Sequence, residues 1–127
     1  LDGHNSRAHA GLAMIAQQTG RPQQAFDYYL KSLELDSNNL TALLGLFQVS
    51  CQMGTFAQVI HYLQVYLQMH PGDSSVMFCL AALYAREGQV QRARDLLRDI
   101  LALEPDRQDA KDLLEEMEHK AVQINRE

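Results

Sequence analysis

The chain repeats itself every 34 residues, and that one regularity excludes most folds. Glycine stands at Gly20, Gly54 and Gly88, and leucine at Leu12, Leu46, Leu80 and Leu114. Pro71 and Pro105 keep the same spacing, with Ser37 holding the place one period earlier. Ala25, Val59 and Ala93 share one phase; Leu33, Leu67 and Leu101 share another. A unit this short cannot bury an apolar face alone and gains its core by stacking on its neighbours.

Each period reads as two helices. In the third, Val76, Met77, Leu80, Leu83 and Tyr84 form an apolar stripe at helical spacing. Gly88 supplies the left-handed turn that ends a helix. Val90, Ala93, Leu96, Leu97, Ile100, Leu101 and Leu103 form a second stripe, which Pro105 stops because proline lacks a donor and clashes inside a helix. In the first period Gly20 ends the first helix and Pro22 suits the first turn of the second. No stretch alternates apolar and polar residues long enough to predict a sheet.

Bulk composition narrows the function. The 127 residues fit one domain with a core that needs no staples, at 46% hydrophobic and 21% charged residues. A formal charge of −5 argues against a nucleic-acid or anionic-lipid partner, which needs a basic face. No apolar run approaches the ~20 residues of a membrane span, and residues 1–5 lack the pattern of a signal peptide. The expected location is the cytoplasm. Cys51 and Cys79 form no Cys-x-x-Cys pair, and they sit at different heights along adjacent first helices. An axial offset of roughly 9 Å between them exceeds the ~7 Å reach of a disulfide, so free thiols are expected.

These residues are those of a known repeat. The sequence resembles the tetratricopeptide repeat family, whose unit is a 34-residue helix-turn-helix. Repeat one, 6–39, carries Leu12-Ala13, Gly20, Ala25, Tyr29 and Ser32. Repeat two, 40–73, carries Leu46, Gly54 and Pro71. Repeat three, 74–107, carries Leu80-Ala81, Tyr84, Gly88, Ala93, Leu97 and Pro105. The resemblance implies an all-α, right-handed α-α solenoid of three helical hairpins. A capping helix follows over 108–125, with Ala110, Leu113, Leu114, Met117, Ala121 and Ile124 on its apolar face and Asp106 or Asp109 at its start. Repeat two departs from the pattern at Phe47, Val59 and Tyr66, where bulk replaces small residues and is expected to spread the hairpin. Residues 1–5 sit in the phase of 35–39 and read as the remnant of a preceding repeat. The apolar surface around Leu12, Ile15 and Phe26 would then be exposed.

In the family, first helices line a concave groove. The groove positions carried over are Arg7, Ala10, Met14 and Gln17 from repeat one, and Thr41, Leu44 and Gln48 from repeat two. Ser75, Phe78, Cys79, Ala82 and Arg86 come from repeat three. Family members that clamp a C-terminal carboxylate use Lys, Asn and Arg side chains; the matching positions here are Ala10, Met14, Gly45, Ser75 and Cys79. None donates as that clamp requires, and an anion taken out of water needs charged or multiple donors. The expected function is a protein-interaction scaffold binding a partner peptide with apolar anchors, Ala10, Met14, Leu44 and Phe78 forming the strip. The alternatives are self-assembly into a homo-oligomer through the repeat ends, and a regulatory arm of a larger enzyme. No catalytic motif, cofactor or metal site is expected: the five histidines show no metal-like pairing, and Asp95, Asp99 and Glu104 read as solvated outer faces.

Overall fold

The computed structural model describes residues 2–126, with side chains from residue 5 to residue 123. Seven helices and no strand occur among the described residues. They are α1 (Asp2–Gln18), α2 (Pro22–Leu35), α3 (Leu40–Met53), α4 (Ala57–Met69), α5 (Ser74–Arg86), α6 (Val90–Leu103) and α7 (Gln108–Arg126).

The turns repeat as faithfully as the sequence. Gly20, Gly54 and Gly88 adopt φ of +73°, +74° and +77°, a region closed to most side chains. Each lets the next amide reach back across the helix end. Arg21 N donates to Ala16 O, Thr55 N to Ser50 O, and Gln89 N to Tyr84 O, at 2.8, 3.3 and 2.8 Å. These bonds satisfy carbonyls that the helix end leaves orphaned. The turns between hairpins carry a second device absent from the sequence reading. Asn39 caps α3 by accepting from Ala42 N at 3.1 Å, and Asp73 caps α5 by accepting from Val76 N at 3.1 Å. Arg107 holds the next equivalent place, before α7.

The chain divides into two compact units between Tyr66 and Leu67, within repeat two. In unit 1, α2 packs on α1 and α3, and α1 touches α3. Ala13, Ala25, Leu33, Leu43 and Leu46 are buried here, and each leucine removed from water is worth about 1.5–3 kcal/mol. Ser6 and Ser32 let α1 and α2 approach: Ser6 Oγ donates to Ser32 O at 2.8 Å and Ser32 Oγ to Ser6 O at 2.7 Å. Asn39 Nδ2 donates to Ser6 Oγ at 2.9 Å, tying the start of α3 to α1. In unit 2, α6 packs on α5 and α7, and α5 touches α7. Leu80, Leu83, Ala93, Leu97, Ile100, Ala110 and Met117 are buried.

Asp2 to Asn5 begin α1, whereas positions 36–39, whose phase they share, lie between helices. Two expectations need correction. Phe26 is buried, because it faces inward from α2. Leu12 and Ile15, by contrast, are 44% and 58% exposed. Leu103 is exposed although it continues the α6 stripe, since it occupies the last helical position before the turn. In repeat two, Val59 and Tyr66 are buried and Phe47 half-buried. On α7, Asp109 accepts from Ala110 N at 2.7 Å in the first turn. Met117 and Ala110 are buried, Leu113, Leu114 and Ala121 are half-buried, and the side chain of Ile124 lies outside the described residues.

Candidate functional site

On unit 1, α1 and α3 run side by side over the ring of Tyr29, which comes up from α2. Gly45 makes that possible. A Cβ built there would lie 2.6 Å from the Tyr29 hydroxyl oxygen and closer still to the ring carbons, so any side chain would collide. With the ring seated, the Tyr29 hydroxyl donates to Gln17 Oε1 at 2.7 Å, and Gln17 Nε2 donates to Gln48 Oε1 at 3.3 Å. Burial pushes the Tyr29 phenol above its ordinary value, because the ionised form would lose its water.

Above this chain of bonds lies a cleft of about 560 Å³ lined by Met14, Gln17, Gln18, Tyr29, Thr41, Leu44, Gly45, Gln48 and Gln52. None of these side chains is charged at neutral pH. A second cleft of about 520 Å³, sharing Met14 and Thr41, is lined by Arg7, Ala10, Gly11, Asp36, Asn38, Asn39 and Leu40. All seven groove positions expected on α1 and α3 therefore fall on these two adjoining clefts: Arg7, Ala10, Met14, Gln17, Thr41, Leu44 and Gln48. Met14 and Leu44 stand out as apolar groups in reach of water, at 45% and 40% exposure, whereas Ala10 is buried and offers little surface.

The five positions on α5 share one helix of unit 2. Ser75 and Arg86 are exposed; Phe78, Cys79 and Ala82 are half-buried. Phe78 is not an open anchor. The Arg107 guanidinium lies over its ring, 5.4 Å from the centroid. That guanidinium also donates to Ser74 Oγ at 3.1 Å, to Glu104 Oε2 at 3.1 Å and to Asp109 Oδ1 at 2.8 Å. The bond to Asp109 raises the Arg107 pKa further, while burial opposes it; the same bond holds the Asp109 carboxyl below the usual carboxylate range. Arg107 was the residue sequence reasoning missed here. The signal available was its phase, shared with Asn39 and Asp73.

Both cysteines are half-buried free thiols. Among the described residues no three His, Cys, Asp or Glu side chains converge as metal ligands would, and no helix is long and apolar enough to cross a membrane.

Helical hairpins recurring at 34 residues, closed by left-handed glycines, define an α-hairpin repeat protein. The chain belongs to the tetratricopeptide repeat family: the family pattern matches residues 6–39 and again residues 51–117. No curated protein matches the sequence. Solved structures share the fold at low identity. The first tetratricopeptide domain of Spaghetti (RPAP3), bound to the HSP90 peptide SRMEEVD, is 15% identical with a TM-score of 0.81, covering 96% of this chain and 97% of that one. The Arabidopsis OM64 tetratricopeptide domain is 14% identical with a TM-score of 0.77, covering 94% and 99%. MamA is 21% identical with a TM-score of 0.81, covering 94% of this chain and 65% of that one.

Proposed function

We propose that this chain is a protein-interaction module and that the clefts of unit 1 hold an extended segment of a partner protein. The observation that carries this is the cleft between α1 and α3, where Met14 and Leu44 offer apolar surface beside a row of amides. The Spaghetti domain, similar in fold, is bound to a peptide, which supports peptide capture as a use of this architecture. On unit 2, Ser75, Phe78, Cys79, Ala82 and Arg86 occupy the same repeat positions on α5, and an incoming side chain there would displace Arg107 from Phe78.

A photo-crosslinking residue placed at Leu44 in the full-length protein tests the reading. It should join one discrete partner segment, and a crosslinker at Arg98, exposed on α6, should not. Met14→Asp with Leu44→Asp should cut capture by about tenfold or more, since each apolar contact is worth about 1.5–3 kcal/mol when desolvated. Capture from Arg98 instead, or capture indifferent to the two aspartates, would sink the groove.

A second reading rests on α1. Leu12 and Ile15 are exposed, yet the residues one period later, Leu46 and Val49, are fully buried. That face is suited to self-assembly or to a preceding hairpin of the same polypeptide. Sedimentation over a concentration series, with and without Leu12→Glu, checks the first of these. A monomer at every concentration excludes assembly through α1.

A further inference from the structure

The cleft over Tyr29 has a polarity that its residue types do not reveal. Tyr29 is buried as a residue, and its part-buried hydroxyl gives its proton to an acceptor, because a donor held away from water is costly to leave unmet. Gln17 Oε1, at 2.7 Å, is that acceptor. Once the Gln17 oxygen faces Tyr29, its Nε2 faces outward, and it donates to Gln48 Oε1 at 3.3 Å. The Gln48 amide is thereby turned as well. Its oxygen accepts from Gln17, which leaves its Nε2, with two hydrogens, as the group of this cleft-lining side chain that can donate. A phenol at one end of a chain of amides thus sets which atom of Gln48 is left to donate at the other.

We propose that this oriented chain makes the cleft a reader of a peptide main-chain carbonyl, presented beside an apolar side chain that packs on Met14 and Leu44. The occupant is a neutral, extended peptide stretch. The inference rests on the groove reading above and adds what the groove recognises. Two features of the cleft favour a neutral ligand over a carboxylate. No cationic side chain lines it, and its remaining polar members, Gln18, Thr41 and Gln52, are uncharged. A carboxylate would give up its water for neutral donors alone, whereas an amide carbonyl gives up less and is matched by one amide donor. Gly45 belongs to the same device, because only its missing side chain lets the Tyr29 ring sit where the hydroxyl meets Gln17.

The test uses two small probes on the full chain: N-acetyl-leucine N′-methylamide, and N-acetyl-leucine with its free carboxylate. Binding is read from the Gln48 side-chain amide resonances and from the methyl groups of Met14 and Leu44. The neutral probe should shift both sets and bind about fivefold tighter than the carboxylate, the worth of one neutral hydrogen bond. Tyr29→Phe removes the proton that orients Gln17, and Gln17→Leu removes the middle link at a half-buried position that the fold can spare. Each should bring the two probes to equal affinity, and Gln17→Leu keeps the test alive if Tyr29→Phe does not fold. If the methyl groups respond but the carboxylate probe binds as well as the neutral one in the unmodified chain, the polarity is wrong and the groove stands. If neither probe moves Met14 or Leu44, the groove reading falls and takes this inference with it.

Discussion

Unit 1 and unit 2 present one arrangement twice, with two periods between them. In each, a first helix and the first helix of the next period lie side by side, with a second helix packed against both. The equivalent positions hold different chemistry. Tyr29, Gly45, Gln17 and Gln48 of unit 1 correspond to Leu97, Leu113, Ala85 and Glu116 of unit 2. Thr41 and Leu44 correspond to Asp109 and Asp112. Where unit 1 has a neutral cleft seated on a tyrosine, unit 2 has an apolar filling and an acidic rim. The link from each turn back to its first helix differs in the same way. Asn39 Nδ2 bonds Ser6 Oγ in unit 1; Arg107 Nη1 bonds Ser74 Oγ in unit 2 and brings two carboxylates with it. A repeat fixes where side chains meet, and the residues placed there decide the chemistry of the meeting point.

The sharpest way to break this comparison is at Gly45. Gly45→Ala forces the Tyr29 ring out of its seat and should cost about 1–3 kcal/mol by overpacking, read as a lower urea midpoint. An ordinary exposed helix glycine gains roughly 1 kcal/mol on the same change. A stabilised variant would mean that Tyr29 does not lean on α3, and the cleft would lose its floor. The corresponding Leu113→Ala in unit 2 should cost in the opposite manner, by leaving space rather than removing it.

The two turn links separate next. Asn39→Ala removes a helix cap and the bond to Ser6, and should cost about 1–2 kcal/mol at any salt concentration. Arg107→Ala removes ion pairs to Glu104 and Asp109, whose side chains are about half exposed. Its cost should be about 1 kcal/mol or less and should shrink in 1 M salt, where surface charges are screened within ~3 Å. Equal salt responses from the two variants would erase the distinction drawn between neutral and ionic links.

Much of this was legible in the sequence, and what was not has a common cause. The helices and their ends follow from local chemistry: glycine where φ must be positive, proline where a helix must stop, apolar residues at helical spacing. The positions facing the α1–α3 clefts were legible through the resemblance to the tetratricopeptide family, whose groove positions carry over from one period to the next. The seating of Tyr29 on Gly45, sixteen residues along the chain, was not. Gly45 matched a groove position, and nothing local says that a ring from α2 needs the room. Phe78 under Arg107 hid for the same reason: a side chain 29 residues away covers it. Phe26 reads as an apolar residue at an exposed end, and only the packing of α2 on α1 shows that it faces inward.

The units should also part company with pH. On the alkaline side, burial holds the Tyr29 phenol above its ordinary 10.0, and burial with the Glu34 charge does the same for Tyr62, also in unit 1. The stability these two contribute is fully present below pH 10 and is lost as pH rises through their folded values, because the unfolded chain ionises first. Tyr29→Phe should flatten the loss above pH 10 in thermal unfolding. If the slope does not change, the phenol is not shielded by the fold.

The acid side belongs to unit 2, with the smallest expected effect. The Arg107 hydrogen bond, reinforced by the bond from Ala110 N, lowers the Asp109 pKa from 3.8. A carboxyl with a depressed folded value contributes stability that is present above the unfolded value and is lost as pH falls through the folded one. The contribution is small because the Asp109 side chain is 48% exposed and the pair is open to solvent, so it should stay below about 1 kcal/mol. Asp109→Asn removes the titration while keeping an acceptor for Ala110 N. The variant should be slightly less stable than the parent at pH 7, and the difference should close as pH falls below 3.8. Arg107 would then lose the charge of Asp109 while keeping that of Glu104, and its hold on Phe78 should loosen by the same small amount. A difference that persists unchanged as pH falls well below 3.8 would assign the effect to the geometry of the α7 first turn, and the Arg107 link would then be held by shape rather than by charge.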